Sequence, residues 1–141
     1  MRPLQPKPSS EVLVDSSGLF AAVDAGDANH AAAAAVLERL LHDETPMVIT
    51  SYTLMEVTAL IQHRLGFEAA RRLTAHGAAL FDVAWVDEDL HSRGVGVWLA
   101  AARRPLSLVD CVSFALMHEL RLDTAFTFDR HFAEAGFIAI P

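Results

Sequence analysis

The chain has 141 residues, 52% hydrophobic and 21% charged, which suits one domain with its own core and no need of disulfides or a structural metal. Eleven Lys and Arg against eighteen Asp and Glu give a formal charge of −7, which argues against a protein that grips nucleic acid through bulk positive potential. No apolar run reaches the roughly 20 residues of a membrane helix, and residues 1–8 lack the apolar core of a signal peptide, so a cytoplasmic location is expected.

Three prolines and two serines in residues 1–10 predict an extended arm, with the folded domain at 11–141. Val12-Leu13-Val14 is a short apolar run ending at Asp15, as in a parallel strand buried on both faces, and Gly18 is read as the turn that follows. Residues 27–42 are alanine-rich, with Val36, Leu37, Leu40 and Leu41 at helical spacing and Asp27 as N-cap. Residues 47–49 form a second buried strand, Thr50 or Ser51 caps a helix over 52–65, Gly66 ends it, and another helix spans 67–77.

Residues 81–86 read as a third strand. Asp87-Glu88-Asp89 then opens a helix to about 103, where acids suit the positive helix end. Pro105 breaks the chain, Ser107 caps a helix to 120, and strands follow at 124–127 and 137–140. Strands alternating with helices specify an α/β fold: a three-layer α/β/α sandwich on a mostly parallel five-stranded sheet.

Ligands of open parallel sheets bind beyond the carboxyl ends of the strands. That rule selects Asp15 after the first strand, Glu56 early in the helix after the second, Asp110 in the first turn of the helix leading to the fourth, and Asp129 after the fourth. Four carboxylates in one crevice repel one another, and a bound cation offsets that charge; oxygen-only ligands favour Mg²⁺ or Mn²⁺ and phosphodiester chemistry. Each acid also has a structural reading. Ser107-Leu108-Val109-Asp110 is a capping box, Thr53-x-x-Glu56 is another, and Asp129 and Asp15 can cap the turns that follow them.

Other chemistries lack their residues. Lys7 is the only lysine, which removes a P-loop and the ordinary receiver domain, and Ser17 stands where a haloacid-dehalogenase-like phosphatase needs a second Asp. No zincin, nucleophile-elbow or dinucleotide-binding motif occurs. Cys111 reads as a small buried hydrophobe, and the seven histidines as surface or cap residues.

Val12-Leu13-Val14-Asp15-Ser16-Ser17-Gly18-Leu19, Thr50-Ser51-Tyr52-Thr53-Leu54-Met55-Glu56-Val57, residues 107–117 and Thr127-Phe128-Asp129-Arg130-His131-Phe132 together resemble, in that order, the signature of the PIN-domain family, and its VapC-type toxin ribonucleases in particular. The resemblance implies a metal-dependent endoribonuclease using Mg²⁺ or Mn²⁺. In it Asp15, Glu56 and Asp110 are metal ligands and Asp129 completes the site, Ser16 or Thr127 orients a ligand or water, and Asn29-His30 is structural. It also implies an RNA substrate, a cognate antitoxin and a homodimer. A stand-alone RNA-processing PIN nuclease and a non-catalytic PIN-fold binding module are the alternatives, and Arg64, Arg71, Arg72, Arg103 and Arg104 are candidates for RNA phosphate contacts.

Overall fold

Val12, Leu13 and Val14 are all buried although consecutive strand residues point to opposite faces, so the strand that carries them must be covered on both sides. The computed structural model describes residues 9–141 and meets that requirement. Strand β1 (Ser9–Val14) lies at the centre of a sheet with β2 (Met47–Thr50), β3 (Asp82–Ala84), β4 (Leu122–Phe126) and β5 (Ile138–Ile140) in the order β3-β2-β1-β4-β5. Every pairing is parallel, Leu13 standing beside Val48 on one side and Ala125 on the other.

Helices cover both faces. Val12, Val14, Ile49 and Phe126 form one apolar cluster with residues of α1 (Ser16–Val23), α2 (His30–His42), α3 (Ser51–Leu65) and α4 (Phe67–Ala75), among them Phe20, Val36, Ile61 and Leu73. Leu13, Val48 and Ala125 form the other with α5 (Glu88–Ala101), α6 (Leu108–Leu120) and α7 (Arg130–Glu134), through Leu90, Val112, Met117 and Phe132. Phe126 and Phe132 are fully buried, each contributing about 1.5–3 kcal/mol of apolar transfer.

Most helix starts follow the caps expected from the residue types. The Thr50 hydroxyl accepts from Thr53 N–H at 3.0 Å, the Asp87 carboxylate from Leu90 N–H at 2.8 Å, and Asp129 Oδ1 from His131 N–H at 2.9 Å. Because Thr50 is the cap of α3, Thr53 is its third residue and Glu56 lies in the second turn, so the Thr53-x-x-Glu56 capping box does not form.

Five expectations change. Asp27 does not cap α2, whose N-cap is Asn29 without a side-chain capping bond; Asp27 accepts the Asn29 N–H at 2.8 Å in the turn before it. Gly18 is not a turn: it sits inside α1, where a Cβ would lie 2.6 Å from the Phe126 carbonyl oxygen, so glycine serves the close approach of helix to strand. Residues 130–134 form α7 where a turn was expected. The third strand is only three residues long, because past Ala84 the chain leaves the sheet and Val86 N–H bonds to the Ser51 hydroxyl at 2.9 Å. Finally, β1 begins at Ser9, which pairs with Leu122, two residues before the expected domain start; the rest of the expected N-terminal arm, residues 1–8, lies outside the described residues.

Candidate metal centre

The strand order reverses at β1. The chain runs from β1 outward to β2 on one side, and β4 is added on the other, so the carboxyl ends of β1 and β4 diverge into the crevice where open α/β sheets take their ligands. Asp15 follows β1 directly and its N–H continues the ladder to Phe126 O at 3.0 Å, while Thr127 and Asp129 follow β4.

Asp15 is 3% exposed. It occupies the N-cap position of α1, yet its side chain makes no capping bond. Its Oδ2 instead accepts the hydroxyl protons of Ser17 at 2.6 Å and Thr127 at 2.8 Å. Those hydroxyls in turn accept the N–H groups of Phe128 and Asp129, each at 2.9 Å. One carboxylate thus locks the start of α1 to the loop after β4, as expected of a buried acid that must be fully partnered. Burial nevertheless raises the Asp15 pKa above the carboxylate norm, with the charge of Asp129 adding to it against the opposing hydrogen bonds from Ser17 and Thr127.

Asp110 stands at the third position of α6 and does form the capping box, its N–H bonding to Ser107 Oγ at 3.1 Å and its Oδ2 accepting from Ser107 N–H at 3.4 Å. The capping role and a place at the site coexist. Burial, then the negative charge of Asp15 and that of Asp129, push its carboxyl up to about 6 in spite of the cap. Three carboxylates from three separate elements therefore sense one another. Asp129 is the N-cap of α7 and its side chain is 29% exposed, leaving it open to the crevice.

Glu56 is different. It is solvent-exposed on α3, and among the described residues the one compact group of potential ligand atoms contains Asp110, Asp129 and His131, within 4.8 Å of one another, without Glu56. His131 was set aside as a surface or cap residue, yet its side chain is only 10% exposed and Nδ1 lies 2.8 Å from Asp129 Oδ1. Its spacing from Asp129 in one short turn was the available signal. Ser17 was also missed as a support for Asp15; of the two residues expected in an orienting role, Thr127 donates its hydroxyl to Asp15, and Ser16 contributes a backbone N–H.

Elsewhere the readings by residue type hold. Cys111 is fully buried and His30 Nδ1 lies 2.8 Å from Ala21 O, a structural contact between α2 and α1. Of the arginines, Arg71 and Arg72 pair with Glu68, Arg64 stacks over Phe20 at 5.4 Å, and Arg103 pairs with Glu134 of α7. Arg103 and Arg104 line, with Trp98 and Leu99, a cavity of about 280 Å³ at the end of α5. Among the described residues no helix is long and apolar enough to cross a membrane.

The donor set fits a hard divalent cation. Carboxylate oxygens are the ligands such ions take, and Asp15 and Asp110, both raised chiefly by burial, have no Lys or Arg among the groups acting on them.

Comparison with known proteins identifies the family. The PIN domain model matches residues 12–138. The chain is 33% identical over 131 residues to the 23S rRNA-specific endonuclease VapC20 of Mycobacterium tuberculosis, covering 92% of this chain and 97% of that protein. The crystal structure of that VapC20 superposes with a TM-score of 0.75 at 30% identity, over 90% of this chain and 96% of the other. The DNA-bound VapBC of Salmonella typhimurium shares the fold, with a TM-score of 0.68 at 16% identity over 92% and 96% of the two chains. With a match running almost from end to end, the chain belongs to the PIN-domain family, among its VapC-type endonucleases.

Proposed function

We propose that this PIN-domain ribonuclease hydrolyses RNA phosphodiesters at the crevice between β1 and β4, using Mg²⁺ or Mn²⁺ held by Asp15, Asp110 and Asp129, with Glu56 joining from α3. The observation that carries the reading is the mutual electrostatic contact of Asp15, Asp110 and Asp129 at the switch point, with the Asp110 carboxyl at about 6. A divalent ion bound there supplies a more acidic water and charge stabilisation for the attacking and leaving oxygens. The chain's own part is to hold the ligands still. Ser17 and Thr127 fix Asp15, Ser107 fixes Asp110, and α7 fixes Asp129 through the His131 N–H.

Similarity to a 23S rRNA-specific endonuclease makes 23S rRNA the first substrate to test. Purified protein incubated with total RNA in Mg²⁺, Mn²⁺ or EDTA, with the cut ends mapped, is expected to give discrete metal-dependent ends in that RNA. Cleavage unaffected by EDTA would overturn the metal assignment, and no cleavage with either metal would favour a non-catalytic PIN-fold binding module.

The toxin reading adds an antitoxin from an adjacent gene. The outward face of α3 supports it: Leu54, Met55, Thr58 and Trp85 line an apolar groove of about 360 Å³ beside Glu56, and Met55 and Trp85 are 68% and 76% exposed. A flexible segment folding there, bringing an Arg or Lys to the carboxylates, would block the site. Co-expression with the neighbouring reading frame, pull-down and RNase assay test this; no binding and no growth defect would leave a stand-alone RNA-processing nuclease. The homodimer implied by the family is read from the mass in solution.

A further inference from the structure

His131 is the one buried polar side chain among the described residues whose ring nitrogens both lack a hydrogen-bond partner. Its side chain is nine-tenths buried. Leaving such buried groups unpaired is unfavourable, so the position asks for a ligand. The ring is held by α7, one face of which lines a cavity of about 210 Å³ with Val97, Leu106 and Phe114. Arg103 and Glu134 line the same cavity but pair with each other at 3.2 Å, and neither bonds to the ring.

On the crevice side the geometry is specific. Nδ1 lies 2.8 Å from Asp129 Oδ1 but off the direction of a hydrogen bond, and Oδ1 already accepts the His131 backbone N–H at 2.9 Å. Two ligands of one octahedral ion, each about 2.1 Å from it, stand about 3.0 Å apart when adjacent. The observed separation is that of neighbouring ligands. Asp110 offers a carboxylate oxygen in the same group, all three ligand atoms lying within 4.8 Å.

We infer that His131 supplies a nitrogen ligand to the cation bound by Asp110 and Asp129, making the centre a mixed nitrogen and oxygen site. The inference rests on the metal-site reading of the proposed function. Its chemical consequence is selectivity. Imidazole binds Mn²⁺ better than it binds the oxygen-seeking Mg²⁺, so the histidine biases the site towards the transition metal.

Pulsed electron paramagnetic resonance of the full chain loaded with one equivalent of Mn²⁺ is expected to show ¹⁴N modulation from a coordinated imidazole. The signal disappears in His131→Gln and persists in His118→Gln, whose histidine lies at the far end of α6. Titration of the His131→Gln variant should show Mn²⁺ affinity weakened about tenfold or more, with Mg²⁺ affinity changed by less than about threefold. Mn²⁺ bound without ¹⁴N modulation, or modulation that survives His131→Gln, overturns the inference and leaves the carboxylate site standing. Failure of the wild-type protein to bind Mn²⁺ overturns the inference, and failure to bind Mg²⁺ as well overturns the metal-site reading with it. Where His131→Gln folds poorly, His131→Asn takes its place, and a wild-type spectrum without ¹⁴N modulation overturns the inference by itself.

Discussion

Replacing Asp110 by Asn should make the metal-free protein more stable at neutral pH while removing its response to metal. Burial, with the charges of Asp15 and Asp129, raises the Asp110 carboxyl from 3.8 to about 6. The folded state therefore holds this proton more tightly than the unfolded chain does. Stability falls as pH rises between about 4 and about 6, and the whole loss is present above that window. At about 1.4 kcal/mol per pH unit the ceiling is about 3 kcal/mol, and solvent screening of this half-buried group reduces it to about 1–2 kcal/mol. Asparagine keeps the shape and an acceptor for the Ser107 N–H, so the cap of α6 survives. In a domain of this size that corresponds to a gain of about 3–8 °C in melting temperature. Differential scanning calorimetry in EDTA should find it at about pH 7.5 and see it vanish towards pH 4. Metal reverses the order, because a cation at about 100 times its Kd stabilises the wild type by about 2.7 kcal/mol and the variant hardly at all. A variant that melts at or below the wild type at neutral pH in EDTA, or that keeps the full metal shift, would refute the reasoning.

Asp15→Asn keeps most of the hydrogen bonding to Ser17 and Thr127 but removes a ligand charge. RNA cleavage should fall about 100-fold or more while the circular dichroism spectrum stays unchanged; cleavage at the wild-type rate would remove Asp15 from the metal site. Glu56→Gln, at an exposed position, should alter stability by less than about 0.5 kcal/mol yet weaken metal affinity and cleavage, and unchanged calorimetric binding would leave Glu56 a solvated helix residue. Gly18→Ala sets two effects against each other. Alanine favours the helix by about 1 kcal/mol, but its Cβ meets the Phe126 carbonyl oxygen at 2.6 Å, so a net loss of about 1–3 kcal/mol in denaturant unfolding is expected, and a more stable variant would contradict it.

The local patterns already carried most of the architecture. Consecutive apolar residues at 12–14 and 47–49 demanded strands covered on both faces, and a carboxylate directly behind such a run had to find strong partners, which is why Asp15 stood out. Ser107 and Asp110 announced the start of α6, since a capping box depends only on residues three apart. What the one-dimensional pattern could not carry is proximity between distant segments. Gly18 looks like a turn until β4 is laid against α1, and Ser17 looks idle until its hydroxyl is found between Asp15 and Phe128 N–H. His131 carried no signal but its spacing from Asp129 until folding buried its ring beside Asp129 and Asp110. The sequence by itself determined the strands, the helices other than α1 and α7, and the acids at their ends, because hydrophobic period and capping are local. Tertiary structure alone decided that β1 and β4 are neighbours, and with that which acids share a field, since charge coupling and burial depend on distances that only the folded chain sets.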